Sequence, residues 1–125
     1  MIIHEELAAD VILQRIQQGI RYFANIEVVA GNFKKQNLQH VIFEQSILNT
    51  SFDYADLRHA SFVECNLKTS GFRYAQLNYA MFQGNAVEAV NMYGAQTVGI
   101  CFEGNYAYSA TLLPEQIAWL QEKFE

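Results

Sequence analysis

Histidine and cysteine, the residue types that most often act as acid, base, nucleophile or zinc ligand, are scarce in this 125-residue chain. It contains three histidines and two cysteines. Catalysis requires several such groups to converge in a concave site, and the sequence has no Gly-x-Ser-x-Gly or His-Glu-x-x-His motif. Cys65 and Cys101 form no Cys-x-x-Cys pair and no zinc spacing with the histidines. We therefore expect no catalytic, metal or cofactor site, and we interpret both thiols as reduced, structural residues.

Tyrosine and histidine recur at multiples of five residues, which indicates a binding surface rather than a reactive site. Tyr54 and Tyr74 are twenty residues apart, as are His59 and Tyr79. Aromatic residues and arginine are enriched in protein interfaces. The alternative is that these side chains only shield neighbouring backbone, and the two roles can coexist. The predicted partner-binding face consists of Tyr54, Tyr74, His59, Tyr79, His40, Arg58, Arg73 and Tyr93, and Lys34 and Lys35 fall in neighbouring outward positions.

The charge and the apolar runs narrow the class of partner. A net charge of −5 argues against a nucleic-acid-binding surface built on excess lysine and arginine. Six of the thirteen acidic residues lie in the two terminal segments, so residues 21–110 carry seven acids against six bases. No apolar run approaches the ~20 residues that a membrane span requires, and the N-terminus lacks the pattern of a secretory signal. We expect a cytoplasmic protein that binds another protein, and neither nucleic acid nor membrane.

A large apolar residue at every fifth position indicates which structural elements position these side chains. From Phe52 to Phe102 the central residue of each five-residue unit is Phe, Leu, Val or Met, with a single polar exception. Residues 23–43 follow the same frame with an offset of one, because a unit centred on Ile47 or Leu48 is one residue short. A small residue stands two places before most centres, which leaves room in a close-packed interior. Neither the helical period of 3.6 nor the strand period of two produces this spacing.

The units ADLRH and CNLKT, at residues 55–59 and 65–69, resemble the motif of the pentapeptide-repeat family. That motif is a small residue, then Asp or Asn, then Leu or Phe, then two polar residues, and GNFKK and QNLQH match its middle pair. The resemblance covers about residues 21–104, and LQRIQQGIRYFANIEVVAGNF is similar to the start of the repeats in small bacterial, particularly cyanobacterial, members. It implies a right-handed quadrilateral β-helix with one unit on each side and four units in each coil.

The spacing supports this fold independently of the family resemblance. Four sides of five residues place residues that are twenty apart on top of each other, and Phe62, Phe82 and Phe102 obey this rule. Phe also alternates with Leu-type residues along the chain, so we expect Phe at two opposite corners of the coil. Coils stack at the strand spacing of ~4.8 Å, so about four of them form a rod on the order of 20 Å long.

A solenoid exposes unpaired backbone at both ends, and the sequence offers a cover for each. The N-terminal segment places Leu7, Val11, Ile12 and Ile16 on one side of a predicted helix. The C-terminal segment has Pro114 at a first-turn position of a second predicted helix. We therefore predict a single domain, 1–125, with a helical cap over 1–20, a repeat solenoid of about four coils over 21–110 and a helical cap over 111–125.

Three functions are compatible with this predicted fold. The first is a non-enzymatic interaction module, a monomer or weak homodimer, in which a rigid solenoid presents its aromatic face to a protein partner. The alternative is a DNA-mimicking binder of a type II topoisomerase, because the resemblance extends to gyrase-protecting members that imitate B-DNA in shape and negative charge. Mimicry of phosphates requires dense negative charge, whereas residues 21–110 carry one net negative charge. The third is an inert structural domain.

Overall fold

The computed structural model describes residues 3–108, 110–111 and 120–121. Most of its strands are only two or three residues long, because each side of a coil has room for few extended residues before the chain turns. The elements in chain order are β1 (Glu5–Ala8), α1 (Ala9–Gln17), β2 (Tyr22–Ala24), β3 (Ile26–Ala30), β4 (Ile42–Glu44), β5 (Ser61–Val63), β6 (Met81–Gln83), β7 (Cys101–Glu103), β8 (Tyr106–Ala107) and β9 (Ala110–Thr111).

Parallel strands from successive coils form the first side of the molecule. Strands β2, β4, β5, β6 and β7 pair in that order, and their central phenylalanines align from Phe23 to Phe102. Three further ladders of parallel single bridges run beside this sheet, one of them beginning with Asn37 and Asp56. Four ladders make a four-sided parallel β-solenoid, which confirms the predicted fold class. The five paired strands of the first side correspond to about five coils, so the predicted number of about four coils is too low by one.

The four sides are called faces 1 to 4, in the chain order of their central residues. Those residues are Phe23, Phe43, Phe62, Phe82 and Phe102 on face 1, Val28, Leu48, Leu67 and Val87 on face 2, Phe33, Phe52, Phe72 and Met92 on face 3, and Leu38, Leu57, Leu77 and Thr97 on face 4. Nearly all of them are buried and belong to one continuous hydrophobic core. The faces are therefore held together by the apolar residues that recur every five positions.

Phenylalanine fills the interior from two opposite faces. Rings on the same face stack almost parallel, as Phe52 and Phe72 do with centroids 5.0 Å apart and planes 4° apart. Rings from opposite faces meet edge to face, as Phe52 and Phe62 do at 5.5 Å and 82°. Both arrangements suit the quadrupoles of aromatic rings. The alternation of Phe and Leu is confirmed, but Phe lies in the middle of opposite faces and not at the corners, where it was expected.

In most units the corner lies at the second residue after the central residue, where the backbone has a positive φ. Tyr74, with φ of 57°, is one of these residues. After faces 2, 3 and 4 the next residue closes the turn, for example with a hydrogen bond from Ala75 N–H to the carbonyl of Phe72 at 3.2 Å. This geometry is a β-turn with a left-handed third residue. The small residue of the motif is therefore the one that closes the turn, and Ala75 is fully buried.

The unit that is one residue short lies between Leu48 and Phe52. Leu48 is fully buried and is the central residue, while the ladder bridges that span this unit join residues 19 apart and the other ladder bridges join residues 20 apart. No residue from 46 to 53 has a positive φ. Thr50 ties this corner to both neighbouring coils, because its N–H donates to Ser70 Oγ at 3.3 Å and its hydroxyl donates to the Gly31 carbonyl at 3.0 Å.

After face 1, side chains replace the turn hydrogen bond. Asn85 Oδ1 accepts from the Cys65 N–H at 2.8 Å, and Asn85 Nδ2 donates to the Phe62 carbonyl at 2.9 Å. Asn105 makes the same two bonds one coil further on, to the Asn85 N–H at 3.0 Å and to the Phe82 carbonyl at 2.8 Å. Cys65 occupies the equivalent position, and its thiol donates to a carbonyl of the preceding coil at 3.3 Å. These buried polar groups are thereby satisfied.

The N-terminal segment differs from the helix predicted over 1–20. Residues Glu5–Ala8 form β1, which pairs in parallel with β3, and α1 covers only Ala9–Gln17. Pairing with the first coil satisfies backbone groups on both strands and outweighs the helix propensity of this Glu- and Leu-containing stretch. Ile12 and Ile16 enter the core from α1, whereas Leu7 enters it from β1.

The helical cap predicted over 111–125 lies almost entirely outside the described residues. Within it Leu120 is buried, and its carbonyl accepts a hydrogen bond from the N–H of Met92 at 3.0 Å. Gln121 Nε2 donates to the carbonyl of Ala95 at 3.3 Å. In the described ranges, no helix combines the length and the apolar character needed to cross a membrane.

Candidate interaction surface

Aromatic side chains stack along the corner between face 3 and face 4. The rings of Tyr54 and Tyr74 have centroids 5.2 Å apart and planes 18° apart. Tyr93 meets Tyr74 edge to face, at 5.7 Å and 88°, and Lys35 holds the corner position one coil before Tyr54. Successive coils repeat each corner at the strand spacing of about 4.8 Å. Aromatic residues at one corner are therefore brought to ring-stacking distance.

A second stack runs along the corner between face 4 and face 1. His40 and His59 lie with ring centroids 5.0 Å apart and planes 5° apart. Tyr79 continues the stack beyond His59, at 5.3 Å and 12°. All three residues have left-handed backbone, with φ between 61° and 65°. Their side chains point away from the core, so this stack, like the first, is part of the molecular surface.

Each stack ends on a glycine of the next coil. A β-carbon at Gly94 would lie 2.5 Å from Tyr74 Cδ1, and one at Gly99 would lie 2.5 Å from Tyr79 Cδ1. The two terminal rings therefore cover corner backbone, which is the shielding role that the sequence left open. Tyr79 nevertheless remains 57% exposed and Tyr54 53% exposed. Shielding thus leaves the outer edges of the rings available for contact with another molecule.

Both arginines of the predicted face are bound to carboxylates. Arg58 donates to Asp56 from Nε at 2.9 Å and from Nη2 at 2.7 Å, and this bond lowers the pKa of the Asp56 carboxyl and raises the pKa of Arg58. Arg73 donates to Asp53 from Nε at 3.0 Å and from Nη2 at 2.9 Å. A β-carbon at Gly71 would lie 2.5 Å from Asp53 Oδ1, so any residue other than glycine at this position would displace the carboxylate. Such pairs fix the orientation of each guanidinium group.

Between the two stacks, face 4 presents mainly amide side chains. Asn78 Oδ1, for example, accepts from the N–H of Val98 at 2.8 Å. The outward residues of this face are Asn37, Gln39, Asp56, Arg58, Gln76, Asn78, Gln96 and Val98. The name ring-stack surface is used for the two stacks, face 4 between them and the outward residues Lys34, Arg73 and Tyr93 beside the first stack. Its chemistry is that of recognition: ring edges, phenol hydroxyls, amides and oriented guanidinium groups.

The eight residues predicted for the partner-binding face all lie on the ring-stack surface. The twenty-residue rule correctly brought Tyr54 beside Tyr74 and His59 beside Tyr79. The sequence reasoning missed the two acidic partners of the arginines and the two glycines that end the stacks. The signal for them was present, because the same twenty-residue spacing separates Asp53 from Arg73. Whether this surface binds a partner stays a prediction.

Of the histidine and the two thiols outside this surface, His4 and Cys65 line the same groove, whereas Cys101 lies on β7. His4 Nε2 is 3.0 Å from the Gln45 carbonyl, at the side of a shallow groove of about 340 Å³ that also includes Lys68. Cys65 is buried, and burial raises the pKa of its thiol to about 11. Cys101 is exposed on β7. Among the described residues, no three His, Cys, Asp or Glu side chains group closely enough to hold a metal ion.

A four-sided parallel solenoid with one five-residue unit on each side is the architecture of a repeat protein. The model of the pentapeptide repeat region matches residues 37–112, more than half of the chain. The chain therefore belongs to the pentapeptide repeat family, as the resemblance of its units indicated. A comparison with curated proteins gives no significant match.

Solved structures of other pentapeptide repeat proteins resemble this fold. QnrB1, a plasmid-mediated fluoroquinolone resistance protein, is 20% identical with a TM-score of 0.51, and the match covers 70% of this chain and 50% of QnrB1. The chain thus spans about half the length of QnrB1. Rfr23 from the cyanobacterium Cyanothece 51142 is 15% identical with a TM-score of 0.39, covering 82% of this chain and 97% of Rfr23. HetL is a protein involved in heterocyst differentiation regulation from the cyanobacterium Nostoc sp. strain PCC 7120. It is 16% identical with a TM-score of 0.31, and the match covers 73% of this chain and 60% of HetL.

Proposed function

We propose that this protein is a non-enzymatic interaction module that binds a protein partner through the ring-stack surface. The observation that carries the proposal is the ordered pair of ring stacks on adjacent corners. Binding ordinarily costs side-chain freedom at the interface, and rings that are already held in a stack lose less of it. Tyrosine also supplies a large contact area and a hydroxyl with few rotatable bonds. The surface is thus prepared for binding before a partner arrives.

The orientation of the rings favours protein over ligands that stack. Within each stack a ring face lies against the neighbouring ring, so mainly ring edges and phenol hydroxyls point outward. Edges and hydroxyls suit side chains and backbone carbonyls of a protein partner. Nucleic-acid bases stack on open aromatic faces, and the stacks leave few of those. The guanidinium of Arg58, fixed between the stacks, adds directional hydrogen bonding.

A pull-down from an extract of the native host tests the proposal, with bound proteins identified by mass spectrometry. The test variant replaces Tyr54, Tyr74 and Tyr79 by alanine. The control variant replaces three tyrosines of faces 1 and 2, which are also exposed: Tyr22, Tyr106 and Tyr108. We expect a partner that the wild type and the control recover and that the test variant loses.

Both triple variants must first give the far-UV spectrum and the elution volume of the wild type, so that loss of binding does not report unfolding. Equal recovery of every protein by the two variants would contradict the proposed surface. Loss with the control variant alone would move the binding site to faces 1 and 2.

A second candidate function is binding to a type II topoisomerase in the place of DNA. The observation that favours it is the charge of faces 1 and 2, which carry five glutamates against Arg21 and Lys68. QnrB1, which has a similar fold, is a fluoroquinolone resistance protein. A gyrase supercoiling assay with and without a fluoroquinolone tests this candidate. If the protein neither inhibits supercoiling nor protects the enzyme at high concentration, the candidate is removed, and reversal of Glu44 and Glu64 to lysine should abolish any effect that is seen.

A further inference from the structure

Charge is distributed unevenly among the four faces of the solenoid. Faces 1 and 2 have two bases, Arg21 and Lys68, against five acids: Glu27, Glu44, Glu64, Glu88 and Glu103. Faces 3 and 4 have four bases against two acids: Lys34, Lys35, Arg58 and Arg73 against Asp53 and Asp56. The chain as a whole is acidic, with a net charge of −5. The ring-stack surface is therefore a positive region on an otherwise negative molecule.

The positive charge of this region is concentrated at one end of the first stack. Arg58 and Arg73 are neutralised by their carboxylate partners. Asp53 pairs with Arg73 of the following coil and not with Lys34 of the preceding coil. Neither Lys34 nor Lys35 forms an ion pair with any of the described residues, and both are exposed. Lys35 also holds the corner position next to Tyr54, so the uncompensated charge continues the line of the stack.

We propose that the ring-stack surface takes an acidic segment of a partner protein, with its carboxylates at Lys34 and Lys35 and its neighbouring residues along the Tyr54–Tyr74 stack. This proposal rests on the proposed function and specifies the chemistry of the partner. Complementary charge steers association and selects among partners more than it adds affinity. Phenol hydroxyls at the ring edges can donate to the same carboxylates. A negatively charged molecule with one positive surface is thus oriented before contact.

Two other occupants are less well matched to this surface. A nucleic acid would meet two uncompensated lysines, which neutralise few phosphates, and rings whose faces are turned towards one another. A second copy of the chain could bring the acidic faces 1 and 2 against the ring-stack surface. The acids of a second copy are spread over a broad β-face, however, whereas the two lysines are adjacent in sequence at one end of a stack. The two charge patterns are therefore less well matched. Both occupants are distinguished from an acidic segment by the experiment below.

The test measures binding of a fluorescein-labelled peptide of about eight glutamates, which spans roughly 27 Å when extended, by fluorescence anisotropy. Lys34→Glu is compared with Lys68→Glu, which makes the same charge change on face 2. The backbone setting of the two sites is the same, because Lys34 N–H donates to Asn32 Oδ1 at 3.0 Å and Lys68 N–H donates to Asn66 Oδ1 at 3.1 Å. The two side chains differ in that Lys68 Nζ lies 3.9 Å from Glu88 Oε1. We expect Lys34→Glu to weaken binding about threefold or more and Lys68→Glu to leave it unchanged. Added salt should weaken wild-type binding.

Five results would overturn the inference. Equal weakening by the two variants would show that net charge acts without the surface, and unchanged binding by both would show that Lys34 does not contact the peptide. Tighter binding of an oligo(dT) of similar length would identify a nucleic-acid site. A salt-sensitive dimer in sedimentation velocity that Lys34→Glu dissociates would identify a second copy as the occupant. A host partner that is lost with the tyrosine variant but kept by Lys34→Glu would remove the acidic segment and leave the proposed function standing.

Discussion

The residues at the corners connect the fold with the candidate surface. Tyr54, His59, Tyr74 and Tyr79 all have φ between 57° and 62°, a conformation that side chains with a β-carbon rarely adopt. In return the corner points each side chain outward and along the solenoid, onto the corner of the next coil. Ring stacking there contributes about 0.5–1.5 kcal/mol per pair and offsets part of the backbone strain. The same geometry that strains the backbone therefore builds the ring-stack surface.

The contact between the terminal ring of a stack and the glycine beneath it can be tested by substituting that glycine, with a second glycine of similar φ as the control. Gly94→Ala places a β-carbon 2.5 Å from the Tyr74 ring, whereas the nearest atom to a β-carbon at Gly104 is 3.8 Å away. Both glycines are left-handed, with φ of 73° and 66°, so both variants lose roughly 1 kcal/mol from strain. We expect Gly94→Ala to lose about 1 kcal/mol more in urea unfolding, because its ring must move. Equal losses would show that the ring yields freely.

The two thiols should differ sharply in reactivity. Cys65 is 2% exposed, and burial raises the pKa of its thiol from 9.0 to about 11, whereas Cys101 is exposed. Only the thiolate reacts, and only when reagent can reach it. At pH 8 we expect Ellman's reagent to modify one thiol per chain in the folded protein and two in guanidinium chloride. Cys101→Ser should abolish the reaction of the folded protein, and a remaining fast thiol would contradict the buried position of Cys65.

The raised pKa of Cys65 also predicts a loss of stability at alkaline pH. The folded protein holds this proton more tightly than the unfolded chain, so the contribution to the free energy of unfolding is complete below pH 9. It is lost as the pH rises from about 9 towards 11, and a shift of this size corresponds to about 2–3 kcal/mol. Cys65→Ser should lack that part of the decline. The two proteins differ only at position 65, so identical pH profiles would count against the prediction.

Among the structural elements, the four corners of a coil are built in two ways. After faces 2, 3 and 4 a backbone hydrogen bond closes the turn, but after face 1 the side chain from the next coil closes it, as Asn85 does for the corner at Cys65. A side chain that bridges coils makes each turn depend on its neighbour. Buried polar networks are strong when complete and costly when broken. The corner after face 1 therefore couples the stacked coils through buried hydrogen bonds, whereas at the other three corners the turn hydrogen bond is made within one coil.

Removing one asparagine of that ladder should cost far more than removing an exposed one. Asn85→Ala leaves the Cys65 N–H and the Phe62 carbonyl buried without these partners, and we expect a loss of about 3 kcal/mol in the free energy of unfolding. Asn78→Ala also removes one hydrogen bond between coils, to the N–H of Val98. Water can replace that bond at the surface, so we expect a loss below about 1 kcal/mol. Similar losses in guanidinium chloride titrations would refute the special role of the buried ladder.

For the molecule as a whole, the five-residue period sufficed to predict the solenoid, its core and the alignment of Tyr54 with Tyr74. It could not predict which polar side chains form hydrogen bonds and ion pairs across coils. The period aligns Asp53 with Arg73 of the following coil, but it does not show that the two side chains form an ion pair. It equally could not show that Glu5–Ala8 form a strand, because the deciding factor is an open edge of the first coil and not local propensity. A sequence shows which residues repeat, but it does not show which polar side chains pair between coils or how the two ends fold.

The ends matter because a stack of coils has neighbours on one side only at its first and last turn. At the N-terminal end, α1 buries Ile12 completely against the first coil, while Gln14 on the same helix is exposed. Ile12→Asp would place a carboxylate in this contact, at a cost of several kcal/mol, whereas Gln14→Asp introduces the same charge at the surface. Loss of the helix would uncover the edge of the first coil, which can then pair with another chain. We therefore expect concentration-dependent association of Ile12→Asp, measured by light scattering after size exclusion, and a monomer for Gln14→Asp. A monomeric Ile12→Asp variant with wild-type unfolding would mean that the solenoid does not depend on this cover.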